Sequence, residues 1–230
     1  MIIVIGGIKG GSGKTTIATN LATIRAANGR KVLLIDTDDQ RTTLDWFEQR
    51  SSLHDFSDQK LSCIFLSGNN IHKQISQMSK DYDDVIIDVG GRDTSNQRSA
   101  LLVADRYILP FQPSSFDIWT IGTLLQIIQD LQIINPKLKT LYILNRVLSG
   151  SKDNNQSIEI LEESPLLIGI PLLIGNRKAF RNAAAEGLGV AETKIRDDKA
   201  INEMIELHRY IYEISMEYLE DIKRFGELCQ

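Results

Sequence analysis

Lys9-Gly10-Gly11-Ser12-Gly13-Lys14-Thr15-Thr16, close to the start of the chain, combines three glycines, two lysines and three hydroxyl side chains. Glycines at this spacing let the backbone curl so that successive N–H groups converge on phosphate oxygens, and a helix opening directly afterwards adds its positive end. In such a loop Lys14 reaches the β and γ phosphates and the Thr15 hydroxyl meets Mg²⁺. Two acidic segments downstream suit the same chemistry. Asp36-Thr37-Asp38-Asp39-Gln40 closes one apolar run, and Asp88, followed by Val89-Gly90-Gly91, closes another. A carboxylate ending a hydrophobic strand beyond a phosphate loop holds Mg²⁺. Asp88 and Gly91 also have the spacing of a nucleotide switch, in which the Gly91 N–H contacts a γ-phosphate and releases it on hydrolysis. The plainer readings are a glycine-rich turn and an aspartate capping a helix.

Strands and helices must bring these residues together. Ile2 to Ile5, Lys31 to Ile35, Leu61 to Leu66, Val85 to Val89, Tyr107 to Phe111 and Leu138 to Leu144 are short apolar runs without alternation. Such runs read as strands buried on both faces. Helices are predicted over Thr15 to Ala27, Ile71 to Ser79, Thr94 to Ala104 and Asp117 to Ile134, the last followed by Pro136. Strand and helix in alternation predict an α/β fold: a doubly wound, mostly parallel sheet flanked by helices. Past Pro171 a loop with Gly175 leads to a short helix near Ala179 to Glu186, and a last helix runs from about 198 to 225. Ser149 to Gln156 is the most loop-like stretch.

The chain has 230 residues, 42% of them hydrophobic and 24% charged, enough for one domain with its own core, read as residues 1–230. A net charge of −4 argues against a polycationic nucleic-acid binder but permits a local basic patch. Two distant cysteines, Cys63 and Cys229, exclude a disulfide scaffold, a zinc module and an iron–sulfur site and suit a reducing compartment. Met1 to Ile5 has no secretory pattern and no apolar stretch reaches spanning length, so a cytoplasmic protein is expected. His54, His72 and His208 stand alone, and Trp46 and Trp119 read as core or interface residues.

Ile8 stands where the general loop pattern has glycine, and Lys9 opens the loop. This departure resembles the deviant KGGxGK(S/T) form of the ParA/MinD family of P-loop ATPases. Asp36 to Gln40 is similar to that family's DxDPQ segment, with Asp39 in place of proline, and Pro110 to Asp117 to the PxxPSxxD stretch of small partition proteins. The resemblance covers about residues 1–190. It implies that Lys9 reaches the nucleotide of a second subunit, Asp36 lies near Thr15 and Mg²⁺, Asp38 places the attacking water and Asp88 fixes Mg²⁺. Asn145 and Arg146 lie where relatives contact adenine, although Asn145 equally suits a strand-end turn. Pro171 begins a segment, Ile170 to Gly189, like the one that completes the family's adenine pocket. The cofactors implied are ATP/ADP and Mg²⁺. The partners implied are a second copy of the chain in an ATP-dependent homodimer, non-specific DNA and a centromere-binding adaptor of the ParB type. The activity implied is slow ATP hydrolysis that releases DNA during plasmid or chromosome segregation, with the ATP form on the nucleoid.

Arg177, Lys178, Arg181, Lys194, Arg196 and Lys199 make the region after Pro171 locally basic, which suits either DNA phosphates or a solvated face. A MinD-like membrane helix is the weaker reading. Residues 201–230 carry Glu203, Glu206, Glu213, Glu217, Glu220, Asp221 and Glu227 against Arg209, Lys223 and Arg224, and anionic headgroups repel that balance. A P-loop metabolic enzyme of the dethiobiotin-synthetase type would need a second substrate motif, and none is evident.

Overall fold

The computed structural model describes residues 1–7, 9–56, 60–68, 70–91, 94–113, 118–148 and 150–213. Seven strands form one sheet: β1 (Ile2–Ile5), β2 (Val32–Asp36), β3 (Leu61–Phe65), β4 (Asp84–Asp88), β5 (Arg106–Phe111), β6 (Lys139–Val147) and β7 (Ile168–Gly175). Their spatial order is β3-β2-β4-β1-β5-β6-β7, and every pairing is parallel. Parallel neighbours need crossovers, which the helices supply: α1 (Lys14–Ala27), α2 (Thr42–Leu53), α3 (Ile71–Met78), α4 (Ser95–Leu101), α5 (Ile118–Ile134), α6 (Lys152–Glu162), α7 (Lys178–Ala185) and α8 (Asp198–Glu213).

The absence of alternation in the strands has its cause in two cores. Ile3, Ile5, Val32 and Leu34 point into a layer with Ile17 and Leu21 of α1 and Met204, Leu207 and Ile211 of α8. Val4, Leu33, Ile35 and Ile87 point into the opposite layer with Ile71, Leu101, Leu124 and Ile128. Both faces are dry, so neither half of the period-two pattern is polar. The apolar stripe of the last helix packs on the sheet as expected as far as Glu213. Its predicted continuation to 225, the Asp117 cap, the Trp119 side chain, Ile8 and Ser149 lie outside the described residues.

Three elements differ from expectation. Lys152–Glu162 is helical where a loop was expected; Ser151 caps it by accepting from the Asp153 N–H at 3.3 Å, and Ile158 and Leu161 bury its apolar side. Ile168–Gly175 is a strand, not a loop. Pro171 is tolerated because β7 is an edge strand and because the register with β6 shifts around it, between Tyr142/Gly169 and Leu144/Leu173. Thr42–Leu53 is a helix with no local capping side chain. Its far end is fixed by Arg50, 2% exposed, whose guanidinium meets both oxygens of Glu192 at 2.7 Å and stacks 3.7 Å over Phe56.

Candidate nucleotide site

Strand order builds the site. Because β4 inserts between β2 and β1, Asp36 pairs in register with Asp88, and Asp88 with Ile5, from which the chain leads towards the glycine-rich loop. Two carboxylates and that loop therefore share the carboxyl edge of the sheet, where open α/β sheets bind ligands.

The loop is held from both sides. Gly13 precedes α1 in the left-handed region, at φ 91°, and a Cβ there would run into the Asn145 amide. That amide donates from Nδ2 to the Ser12 carbonyl at 2.6 Å, and its Oδ1 accepts the Arg146 N–H at 2.9 Å. Asn145 is thus a clamp on the loop. Arg146, at φ 57°, is the extra residue of a bulge in β6 and turns the chain beside the loop. On the other side Gly91 lies against Lys9 and Gly10; a Cβ on Gly91 would sit 2.6 Å from the Gly10 Cα. Lys14, 7% exposed, donates to the Lys9 carbonyl at 2.8 Å, which draws the two ends of the loop together. Burial lowers the pKa of Lys14, opposed by the nearby charges of Asp88 and Asp38. The buried Ser12 hydroxyl has no hydrogen-bond partner among the described residues.

The carboxylates divide their work. Asp88, 2% exposed, accepts the Thr15 and Thr43 hydroxyls at 2.6 Å each, both on Oδ2, while Oδ1 is buried without a partner among the described residues. Burial pushes its pKa up to about 6 against the lowering effect of the two hydroxyls. Asp36 accepts the Asp38 N–H on Oδ1 at 2.9 Å and, on Oδ2, the Thr43 and Leu44 N–H groups at 2.9 and 3.1 Å. Asp36 therefore caps α2 from the end of a strand, which is why no local cap is needed. Burial also raises its pKa, against those backbone bonds. Asp38, half-buried, accepts the Gln40 N–H at 3.1 Å and leans over the Asp88 loop, its Oδ2 3.2 Å from the position of a Cβ on Gly90. Asp39 is an exposed turn residue. Thr43 is fully buried and belongs to the site; only its closeness to the Asp36 segment could have signalled it.

These residues fit Mg²⁺. Among the described residues no three His, Cys, Asp or Glu side chains gather into a protein-only cage. Mg²⁺ takes one or two carboxylates together with phosphates and water, and needs no such cage. The orphaned Asp88 Oδ1 is an unused acceptor, and a Thr15 hydroxyl that donates to Asp88 keeps its lone pairs for a cation.

Beside Thr16 of α1 a small cleft of about 40 Å³ opens between Asn145, Arg146, Asn176, Arg177 and Phe180. It is far below the roughly 300 Å³ of a typical ligand pocket, so the arginines must move to admit a base. Pro171 is not in it, lying mid-strand about 13 Å from Gly175 at the usual rise per residue. Lys178, Arg181 and Lys199 are exposed, whereas Arg177 is engaged by Glu203 of α8 at 2.5 Å and is not a free charge.

A seven-stranded parallel sheet with a glycine-rich loop after its central strand defines a P-loop NTPase fold. The chain matches the CobQ/CobB/MinD/ParA nucleotide-binding domain over residues 3–190 and belongs to that family. It is 26% identical over 206 residues to the maintenance of carboxysome distribution protein A of Halothiobacillus neapolitanus, covering 88% of this chain and 92% of that one. Its fold matches a plasmid partition protein of Borrelia burgdorferi bound to AMPPNP, with TM-score 0.72, 22% identity and coverage of 93% and 99%. It also matches the cell division ATPase MinD of Pyrococcus furiosus, with TM-score 0.69, 21% identity and coverage of 93% and 99%. Among the described residues no helix is long and apolar enough to cross a membrane.

Proposed function

We propose that this protein is a positioning ATPase of the ParA type: two copies enclose ATP, the dimer holds non-specific DNA, and hydrolysis releases it. The observation that carries the reading is the meeting of Lys14, Thr15, Asp38 and Asp88 at one sheet edge, with Lys9 tied into the same loop. Loop N–H groups and Lys14 bind the β and γ phosphates, and Thr15 and Asp88 hold Mg²⁺, with Asp36 behind them. Mg²⁺, when bound, neutralises charge between the phosphates. Asp38 orients the attacking water, and Gly91 senses the γ-phosphate from its seat on Gly10. Asn145 and Arg146 border the adenine, with Thr16 beside them. Lys9 serves the other subunit's nucleotide. Turnover is slow until an adaptor of the ParB type completes the site. The carboxysome-distribution relative supports positioning as the general task and adds protein compartments to plasmids and chromosomes as cargo.

Lys178, Arg181 and Lys199 supply the DNA surface, doubled in the dimer; the pairing with Glu203 removes Arg177 from it. Gel shifts on random duplex with ATP, ADP and no nucleotide, run beside sedimentation with anionic liposomes, test the reading. Binding to DNA only with ATP, lost in Lys9→Ala and less salt-dependent in Lys178→Ala/Arg181→Ala/Lys199→Ala, is the expected result. Liposome binding without DNA binding would refute it in favour of a membrane-positioning protein.

A further inference from the structure

Thr43 touches both carboxylates at once. Its N–H bonds Asp36 Oδ2 at 2.9 Å and its hydroxyl bonds Asp88 Oδ2 at 2.6 Å, with the residue fully buried. The two aspartates are register partners on neighbouring strands, so they face each other across one strand spacing, about 4.8 Å. Two carboxylates at that separation repel one another when both are ionised. Unrestrained, such groups would turn apart. Thr43 instead fixes one oxygen of Asp88 towards α2 and leaves Oδ1 as the unused acceptor. Thr15 bonds the same Oδ2, so a single torsion of Asp88 satisfies both hydroxyls.

We propose that Thr43 is a positioning residue for the metal carboxylate: its hydroxyl holds Asp88 in the rotamer that receives Mg²⁺, and it thereby sets the affinity for the Mg²⁺ form of the nucleotide over the metal-free form. This rests on the nucleotide reading above. Partners that orient a ligating group without touching the metal typically change metal affinity roughly 10- to 100-fold when removed. A merely structural threonine would have no such selective effect.

The test uses the full chain and a fluorescent N-methylanthraniloyl ATP, titrated in EDTA and at rising Mg²⁺. For Thr43→Val, which keeps the shape and loses the hydroxyl, the Mg²⁺ concentration for half-maximal enhancement of binding should rise roughly 10-fold or more, with affinity in EDTA unchanged. Thr43→Ser should restore the wild-type value. Thr43→Ala, with melting curves on each variant, serves if the valine protein does not fold. A Mg²⁺ response equal to wild type in the valine and alanine variants overturns the proposal, as does an equal loss of affinity in EDTA and in Mg²⁺. If the wild-type protein itself fails to bind the probe, the nucleotide reading falls and this assignment falls with it.

Discussion

Replacing Asp88 by asparagine should stabilise the nucleotide-free protein while removing its Mg²⁺-dependent nucleotide binding. Asp88 is buried and its pKa is pushed from 3.8 up to about 6. Between those two values the folded protein keeps a proton that the unfolded chain has lost, so stability falls as pH rises through that window and the full penalty stands above about 6. At about 1.4 kcal/mol for each pH unit, the gap amounts to about 3 kcal/mol. Asparagine keeps a carbonyl oxygen for the Thr15 and Thr43 hydroxyls and carries no charge. The attraction of Lys14 is already contained in that shift; the asparagine NH₂ that takes the place of Oδ1 is buried with no acceptor among the described residues, which offsets part of the gain. A net gain of about 2 kcal/mol corresponds to about 4 to 8 °C in melting temperature for a chain of this size. Thermal melts of both proteins in EDTA at pH 7.5 and pH 4.5 read it directly. The asparagine variant should melt higher at pH 7.5, and its advantage should shrink at pH 4.5, where wild-type Asp88 is protonated in the fold. A variant that melts no higher at pH 7.5, or whose advantage does not depend on pH, would refute the reasoning from burial.

Two further outcomes follow from close contacts. Gly91→Ala puts a Cβ 2.6 Å from the Gly10 Cα, so the phosphate loop must shift; stability should fall by about 1–3 kcal/mol in urea unfolding, and nucleotide affinity with it. Glu192→Ala removes the carboxylate from a guanidinium that is 2% exposed and leaves its charge uncompensated by that partner, which should cost about 3–5 kcal/mol, whereas Arg50→Met with Glu192→Leu should lose much less in the same assay.

The glycine-rich loop that opens α1 and Asp88 at the end of β4 were legible because their signals are local: glycines, lysines and a hydroxyl within eight residues, and a carboxylate closing an apolar run. The six apolar runs were legible because both faces of the sheet are buried. What escaped is held by partners distant in the chain or disguised in composition. The helix α2 begins on the carboxylate of Asp36, so Thr42 and Thr43 look like ordinary loop residues, and nothing local reveals that Thr43 bonds Asp88, 45 positions on. Arg177 reads as a free cation until α8 brings Glu203 beside it. Asn145 suited both a base edge and a turn, and neither reading signals that its amide clamps the loop 133 residues earlier. Pro171 reads as a strand breaker unless the strand is at the edge and bulged.

The insertion of β4 between β1 and β2 bears on how the molecule comes into being. The first two strands do not touch each other; they are joined only when residues 84–88 arrive between them. A nascent chain that has exposed the whole phosphate loop, α1 and Asp36 still lacks Asp88, and the two strands that carry its chemistry have no ladder to bind them. Pairings of that kind are slow to form because the intervening chain must be ordered first. The carboxyl edge that brings the glycine-rich loop, Asp36 and Asp88 together therefore exists only once β4 has been inserted, and under the proposed function ATP, as a ligand of that completed edge, would draw β4 into place by mass action.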